Sequence, residues 1–267
     1  LRVMVLFGPD GVLLVDTQNR QVAEKTMAAI RSFTDAPIKV LVNSHIHSDH
    51  TGANAFFAKQ GALIFAQENL RLDMINPRRL RDTAAIPSVT YRYDPSAPGE
   101  PAVTLNMNGE TVDFIPMMPS HTAGDTVVRF RNANVIYIED FYRNFGFPFA
   151  AQTSGGSIKG MIEAIDLFQT IAGPDTWLIP GHGTLIHRED LLPYRDMLVD
   201  ILAKVTTLRD EGKSLEEVLA ANLTAPYEQT TQGDTQQSKD RFITAVYDEV
   251  KDFPPIVNGR RAMPAHP

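Results

Sequence analysis

The chain has 267 residues, a formal net charge of −7 and a hydrophobic fraction of 43%, which are ordinary values for a globular protein and exclude a disordered chain. It contains no cysteine, so disulfides, thiolate metal ligands and a cysteine nucleophile are excluded. The acidic charge disfavours nucleic-acid binding, and no apolar run approaches the roughly 20 residues of a membrane-spanning helix. We therefore expect a small-molecule substrate and neither a nucleic-acid nor a membrane partner, and we leave the oligomeric state open.

The first half of the chain alternates strand-like apolar runs with helical stretches. The pattern predicts strands over 3–7, 12–16, 38–43 and 62–66, and helices over 21–33 and 51–59. Residues 76–99 are rich in proline, arginine and aspartate, and we interpret this long excursion as a lid or a surface insertion. It includes a basic cluster of Arg78, Arg79 and Arg81, with Arg71 nearby, which is typical of a solvated surface.

The second half repeats this alternation and then becomes helical. The pattern predicts strands over 102–107, 111–117, 126–130, 135–138 and 176–179, and helices over 157–168, 191–208, 215–221 and 238–250. Ser214 and Glu217 form a capping box before the helix at 215–221. We predict one α/β domain over residues 1–252, mainly helical over 191–252, with sheets between helices and a proline-rich tail over 253–267. Because the chain starts at Leu1, inside a strand-like segment, we expect it to be trimmed or processed.

The strongest signal for function is the motif His45-Ile-His47-Ser-Asp49-His50, which directly follows an apolar strand. His45 and His47 are two residues apart, so on an extended chain their rings point to the same side. Two converging imidazoles make half of a tetrahedral zinc shell. Asp49 and His50 follow where the chain turns into the next helix, and they can face a second ion.

Three further ligand types occur where other strands end. His121 lies in Ser-His-Thr-Ala-Gly-Asp, Asp140 closes the strand at 135–138, and His182 lies in the turn Pro-Gly-His-Gly. Because an α/β fold gathers strand ends at one edge, these side chains and the His-rich motif together predict a two-metal site. His187 and His266 are left over and are interpreted as surface side chains.

The order of these motifs resembles that of the metallo-β-lactamase superfamily over residues 3 to about 187. The resemblance implies an αββα sandwich, with the metals at one edge of the sheets and a helical C-terminal extension. It also implies which ligands share a metal: His45, His47 and His121 for the first, Asp49, His50 and His182 for the second, and Asp140 as the bridge between them. In this family the residue before the bridging aspartate is usually glycine, whereas here it is Glu139, which either crowds the turn or points outward. The choice of Asp140 over Glu139 rests on register alone.

Five imidazoles and two carboxylates suit two zinc ions, although iron and manganese tolerate the same ligands. Two such metals activate a water at neutral pH, and Asp49 is placed to orient that water and to pass a proton to the leaving group. Ser44, Thr51, Thr122 and Asp125 are candidates to support the ligands, or are simply turn and cap residues. His47 stands where flavodiiron relatives have a glutamate, which disfavours redox chemistry.

A finer resemblance covers Asp140 to Pro148 and Ser154 to Ser157, which are similar to a group of secreted bacterial hydrolases encoded near sulfur-oxidation and quinoprotein genes. It implies a periplasmic or secreted protein, with the cytoplasm left open. In that group acidic residues usually stand at the positions of Ala151 and Thr153, so any role they have there does not transfer.

The aromatic segment from Phe141 to Phe149 is either an apolar wall for a small acyl substrate or a plug in the core. Asn144, within it, is a candidate to donate a hydrogen bond to a substrate carbonyl oxygen. Our preferred hypothesis is a di-zinc hydrolase that opens a small cyclic amide or ester, a β-lactam or a lactone. The alternatives are a thioester hydrolase resembling glyoxalase II, a mononuclear iron persulfide dioxygenase with two histidines and one aspartate, and a metal-stabilised binding protein without turnover.

Overall fold

The first of two five-stranded sheets comes from the N-terminal part of the chain. The computed structural model describes residues 1–76, 83–230 and 235–251, and the backbone of 256–257 and 260–261. The sheet has the order β1-β2-β3-β4-β5, in which β1 and β2 form an antiparallel hairpin and the remaining neighbours are parallel. Its strands are β1 (Met4–Gly8), β2 (Gly11–Val15), β3 (Ile38–Val42), β4 (Leu63–Gln67) and β5 (Val89–Tyr91).

The second sheet has the order β10-β9-β8-β7-β6 and is antiparallel except where β10 pairs with β9. Its strands are β6 (Val103–Met107), β7 (Glu110–Pro116), β8 (Thr126–Phe130), β9 (Val135–Glu139) and β10 (Trp177–Pro180). A short ladder also pairs β11 (Ile256–Val257) with β12 (Arg260–Arg261).

Helices cover the outer faces of both sheets. The helices before the second sheet are α1 (Ala23–Arg31), α2 (Ser48–Thr51), α3 (Asn54–Ala58) and α4 (Glu68–Met74). Those after β9 are α5 (Ile158–Ile171), α6 (Leu191–Asp210), α7 (Leu215–Ala220) and α8 (Gln236–Lys251). None of the described helices is both long and apolar enough to span a membrane.

Three hydrophobic clusters define the layers. Alternate residues of β2 point to opposite sides, so Leu13 and Val15 pack against the second sheet while Val12 and Leu14 pack under α1 and α3. The outer face of the second sheet packs against α5, α6 and α8 through buried residues such as Phe168. The αββα sandwich and its helical C-terminal part are thereby confirmed.

Several predicted elements have different bounds in the structure. The predicted helix 51–59 is two short helices, α2 and α3, because the backbone leaves the helical conformation at Ala53, with φ −99° and ψ 12°, directly after Gly52, which keeps helical angles. The interpretation of 76–99 as one long excursion was wrong in part: β5 pairs with β4, with Val89 opposite Phe65. A strand of only three residues gives too short a pattern to be recognised from sequence.

Other predictions concern residues outside the described set. Arg78, Arg79 and Arg81 lie there, as do His266 and most of the predicted tail. The capping box before α7 is present: Ser214 accepts a hydrogen bond from the Glu217 amide, and Glu217 accepts one from the Ser214 amide at 2.8 Å. The single-domain boundary at residue 252 stays a prediction.

Gly160 brings α5 against the loop that carries His121. A Cβ on Gly160 would overlap the carbonyl oxygen of Pro119. Helix propensity alone predicts that Gly160→Ala stabilises the protein by about 1 kcal/mol, but the overlap must displace backbone and reverses the sign. We expect Gly160→Ala to lower the free energy of unfolding by about 2 kcal/mol in urea titrations. Gly173→Ala is the control, since its Cβ would meet only the Thr176 hydroxyl at 3.3 Å; a more stable Gly160→Ala protein would contradict the prediction.

Candidate metal centre

The seven predicted ligands meet at one edge of the sandwich because each follows the end of a strand. His45 comes after β3, Asp140 after β9 and His182 after β10, while His121 lies in the loop between β7 and β8. His47 precedes α2, and Asp49 and His50 lie within this single-turn helix. The structure therefore brings together residues that are up to 137 positions apart, as the difference between His45 and His182 shows.

The first group of ligand atoms contains His45, His47, His121 and Asp140. The Nδ1 atom of His47 lies 3.0 Å from the Nε2 atoms of both His45 and His121. A carboxylate oxygen of Asp140 lies 3.7 Å from Nε2 of His121. Three imidazole nitrogens and one carboxylate oxygen thus face a common point, which is the arrangement of a four-coordinate metal site.

The second group contains Asp49, His50 and His182. Oδ2 of Asp49 lies 2.9 Å from Nε2 of His182 and 3.7 Å from Nε2 of His50. Asp140 also reaches this group, at 3.4 Å from His50 Nε2 and 3.7 Å from His182 Nε2. Asp140 therefore lies between the two groups of candidate ligand atoms, and its role as a bridge stays a prediction.

Three of the histidines are fixed through the ring nitrogen that faces away from the centre. Nδ1 of His45 lies 2.9 Å from the Glu139 carboxylate, Nδ1 of His50 lies 2.7 Å from Asp16, and Nδ1 of His121 donates to the Phe149 carbonyl at 2.6 Å. Since carbonyl and carboxylate oxygens accept, Nδ1 carries a proton in each of these rings, and Nε2 is the atom that faces the centre. Metal-binding histidines in proteins are usually oriented in this way.

Asp16 is a site residue that the sequence patterns did not single out. Its buried carboxylate accepts hydrogen bonds from the Ser44 amide and hydroxyl at 2.8 and 2.6 Å, and from the Tyr137 hydroxyl at 2.9 Å, besides its contact with His50. The available signal was its position: Asp16 directly follows β2, as Asp140 follows β9, and strand ends meet at this edge.

Glu139 points inward rather than outward. It is fully buried, and its backbone has a φ of +43°, in the left-handed region that favours glycine. The same carboxylate oxygen that contacts His45 accepts a hydrogen bond from the Asp140 amide at 2.6 Å. Glu139 therefore contacts a candidate ligand of the first group, whereas the carboxylate of Asp140 belongs to that group itself; the assignment of Asp140 as a metal ligand stays a prediction.

The protonation states suit metal binding in the first group. Burial lowers the pKa of His45 well below its ordinary value, with the charge of His50 adding to the effect, and burial lowers the pKa of His121 to about 3. Both rings are therefore neutral at pH 7, the form that binds a metal. Burial alone would also lower the pKa of His50, but the charges of Asp16 and Asp140 outweigh it and raise that pKa to about 10.

Carboxyl groups accumulate behind the histidines. Asp16, Asp125, Glu139 and Asp140 are all buried. Burial raises the pKa of Glu139 well above its ordinary value, and the neighbouring Asp125 and Asp140 raise it further. Crowded buried carboxylates of this kind are stabilised by bound cations.

Two buried ligand atoms lack a hydrogen-bond partner among the described residues: Nε2 of His50 and Oδ1 of Asp140. They face each other at 3.4 Å, with the carboxylate of Asp49 beside them. A buried polar atom without a partner is costly unless something else binds it. The donor set, its geometry and these two atoms fit a divalent metal, and the chain has a His/Asp metal-binding cluster at this edge.

The predicted supporting residues differ in what they contact. The Ser44 hydroxyl lies 3.1 Å from Nδ1 of His45 and bonds Asp16, so it supports both groups. Thr51 donates to the backbone of Ile46 and His47, and thereby fixes the turn that presents His47. Thr122 donates to Asp125, whose carboxylate also accepts from the Thr122 amide, so this pair shapes the loop around His121.

In the aromatic segment after Asp140, some side chains pack in the core and others lie beside the ligands. Phe141 and Phe147 are fully buried in the core. Phe145 is 40% exposed with its ring 5.9 Å from that of His182, and Phe149 stacks on His47 at 5.7 Å. The segment therefore supplies both a core plug and two aromatic faces beside the ligands.

The structure also shows where two other residues of the sequence analysis lie, Asn144 and His187. The Asn144 side chain lies beside the His182 turn, where its amide donates to Thr184 at 3.3 Å, and its role toward substrate stays a prediction. His187 lies away from the two ligand groups: its ring packs on Trp177 and its Nδ1 bonds the Thr176 carbonyl.

Comparison with known proteins gives one family match. The model of the metallo-beta-lactamase superfamily matches residues 2–182, which carry both groups of ligands. The computed structure resembles that of the stereoselective inverting sec-alkylsulfatase Pisa1 from Pseudomonas sp., with a TM-score of 0.71 and 19% identity over 92% of this chain and 46% of that one.

Two curated proteins are similar in sequence over part of the chain. The 2,4-dinitroanisole O-demethylase subunit alpha of Nocardioides sp. (strain JS1661) is 30% identical over 141 residues, which is 52% of this chain and 40% of the relative. The linear primary-alkylsulfatase of Pseudomonas sp. (strain ATCC 19151) is 39% identical over 69 residues, or 23% of this chain and 13% of the relative. The matches therefore span less than half of the length of either relative.

Proposed function

Because the chain belongs to the metallo-beta-lactamase superfamily, we propose that it is a di-zinc hydrolase that opens a small cyclic ester or amide, a lactone or a β-lactam. The observation that carries this proposal is the position of Asp140 between two separate groups of ligand atoms. A site for one metal would use only one of the two groups. It would leave the second group, Asp49, His50 and His182, without a role, although this group also faces the Asp140 carboxylate. Zinc in these groups would supply a Lewis acid and a bound water with a pKa near 7.

Asp49 is the residue we assign to proton transfer. Its side chain is 34% exposed, so it contacts both a neighbouring ligand, His182, and the solvent. Burial alone would raise its pKa, but the hydrogen bond with His182 and the charge of His50 outweigh this and lower it to about 2. Asp49 is therefore ionised at neutral pH, where it accepts a hydrogen bond from the attacking water, orients it, and carries the proton to the leaving oxygen or nitrogen.

The surroundings offer room for a small substrate. A cavity of about 1130 Å³ lies beside His47 and is lined in part by apolar side chains, among them Ile46, Phe56 and Ile86. Phe145 and Phe149 add aromatic faces beside His182 and His47. Polar and charged side chains, among them Arg20, Glu24 and Lys59, line the same cavity, and clefts that combine apolar walls with polar groups are typical of small-molecule sites. Asn144 is our candidate to hold the substrate carbonyl oxygen, exchanging its 3.3 Å bond with Thr184 for one to the substrate.

Hydrolysis of a sulfate ester is the second candidate. It is favoured by the 39% identity to the linear primary-alkylsulfatase over 69 residues. It is also favoured by Arg143, whose guanidinium lies 3.8 Å from the Asp140 carboxylate and is suited to a sulfate group.

The test combines a metal count with a substrate panel. Protein as purified should contain two zinc ions per chain by mass spectrometry, and one iron ion per chain would favour the mononuclear dioxygenase instead. The panel consists of nitrocefin, an acyl-homoserine lactone, S-lactoylglutathione and hexyl sulfate. We expect turnover of the lactone or nitrocefin that a chelator abolishes and zinc restores. Turnover restricted to the thioester or to hexyl sulfate would replace the proposed substrate class, and no turnover by fully loaded protein would favour a binding protein.

A further inference from the structure

Helix α8 lies beyond residues 2–182, which the family model matches, yet one of its faces contacts the segment of chain that packs against His121. This segment, residues 147–157, is called the supporting loop. We propose that Ser238 and Glu249 of α8 are positioning residues for His121, which they orient through the supporting loop. The inference rests on the metal site of the proposed function and deepens it, because it names what holds one of the candidate ligands in place.

The supporting loop is joined to His121 and its neighbour by three hydrogen bonds. Nδ1 of His121 donates to the Phe149 carbonyl at 2.6 Å, and the carbonyl of His121 accepts from the Ala151 amide at 2.8 Å. The Ser157 amide donates to the carbonyl of Ser120 at 2.7 Å. Both the ring and the backbone of His121 are therefore fixed by the supporting loop, so a shift of this loop would turn Nε2 of His121 away from the other ligand atoms.

The N-terminal part of α8 holds the beginning of the supporting loop. The Ser238 hydroxyl accepts a hydrogen bond from the Phe147 amide at 2.7 Å, and the Phe147 ring stacks on the Phe242 ring with 5.9 Å between their centres. Further along the helix, the Ala245 carbonyl accepts a hydrogen bond from the Gln152 side chain at 2.8 Å. Because Ser238 and Phe147 are both buried, removal of the hydroxyl would leave a buried amide without its acceptor.

Arg241 extends the contact of α8 to the part of the loop nearest the ligands. Its guanidinium lies 4.2 Å from the centre of the Phe149 ring. The Phe149 ring in turn stacks on His47 with nearly parallel planes, and the Phe149 carbonyl accepts from His121. One residue therefore separates α8 from two candidate ligands of the first group.

Glu249 holds the other end of the supporting loop. Its carboxylate accepts hydrogen bonds from the Ser157 hydroxyl at 2.8 Å and from the amides of Ile158 and Lys159 at 2.6 and 3.1 Å. These two amides belong to the first turn of α5, where the helix dipole stabilises a carboxylate. Since the Ser157 amide bonds Ser120, this cap fixes the residue next to His121.

The contacts of α8 fall on one side of the helix. The residues that bond or stack on the supporting loop are three or four positions apart, which is the spacing of a single helical face. They are Ser238, Phe242, Ala245 and Glu249. The whole face therefore serves to hold the supporting loop, and the two polar side chains at its ends make the bonds that substitution can remove.

Zinc affinity tests the positioning role without any substrate. It is measured on folded variants by competition with a chromogenic chelator. We expect Ser238→Ala and Glu249→Ala each to weaken binding of the zinc ion held by His121 roughly tenfold, and the double variant to weaken it further. Glu249→Gln keeps one acceptor oxygen and should fall between Glu249→Ala and the wild type. Asp240→Asn is the control, because it removes a charge from α8 at a carboxylate that accepts from Gln236 of the same helix.

The absorption spectrum of cobalt-substituted protein supplies a second readout, since it reports the geometry of the ligands around the metal. We expect its bands to shift in Ser238→Ala and Glu249→Ala and to stay in place in Asp240→Asn. A purely structural role would lower the unfolding temperature and leave the zinc affinity and the cobalt spectrum of the folded variants unchanged, and that result would overturn the proposal.

Two further outcomes are separable. Should Glu249→Ala fail to fold, Ser238→Ala and Glu249→Gln decide the question by the same two measurements. Because neither measurement uses turnover, weaker zinc binding with a shifted spectrum in a protein that is inactive on the whole substrate panel would count against the proposed function and not against the positioning role.

Discussion

Asp49→Asn is expected to lower kcat by about 10³-fold while the protein remains folded. An asparagine has the same shape, and the Asp49 side chain is 34% exposed at the start of α2, so little packing is lost. What is lost is a carboxylate whose pKa is about 2 and which is therefore ionised throughout the range of ordinary assays. The amide accepts a hydrogen bond but takes no proton, so the leaving atom receives none from this position.

The Asp49→Asn experiment needs the metal content beside the rate. The second group would keep His50, His182 and Asp140, and we expect zinc to bind there more weakly, so assays are run with excess zinc. Asp166→Asn is a matched control, since Asp166 is a half-exposed carboxylate paired with Arg195. A kcat equal to that of the wild type, with two zinc ions bound, would show that Asp49 has no part in proton transfer.

Glu139→Gly is expected to weaken zinc binding by roughly 10- to 100-fold and yet leave the metal-free protein at least as stable as the wild type. The two effects have different causes. Zinc binding weakens because His45 loses the carboxylate that lies 2.9 Å from its Nδ1 and holds Nε2 toward the metal. Stability is kept because glycine accepts the left-handed backbone at φ +43°, and because a buried carboxylate beside Asp125 and Asp140 is removed.

Three measurements separate a positioning role for Glu139 from a purely structural one. Zinc affinity is obtained by competition with a chromogenic chelator, stability from the unfolding temperature without metal, and first-group geometry from the absorption spectrum of cobalt-substituted protein. Glu139→Gln keeps the shape but not the charge and should fall between the wild type and Glu139→Gly. Asn222→Gly is the control, because Asn222 also has a left-handed backbone, at φ +50°, and is exposed on the surface. Wild-type zinc affinity in Glu139→Gly would refute the role.

Much of the fold could be predicted because the local patterns are strong. The strand predicted over 126–130 has those bounds in the structure, and the capping box of Ser214 and Glu217 begins α7 as expected. Local patterns failed where context decided the conformation. β5 has only three residues and is stabilised by pairing with β4, and the break between α2 and α3 lies at Ala53, next to Gly52, which packs closely against the backbone of Asn19 and Arg20.

The ligand types and their order were determined by the sequence alone, because the metal-binding motifs are local and each follows a recognisable strand. The absence of cysteine likewise restricted the site to imidazole and carboxylate ligands. Only the tertiary structure decided what stands behind and beside those ligands. Asp16 meets His50, and Arg241 meets Phe149, through the packing of distant elements, which no local pattern encodes.

For Glu139, too, the sequence determined one property and the tertiary structure decided another. The sequence marked it as unusual, because a glycine was expected at that position. Its role depends on a backbone in the left-handed region, which turns the side chain inward toward His45. Backbone conformation at one residue is set by the surrounding sheet and turn, so the direction of this carboxylate was decided by the folded structure and not by the sequence around it.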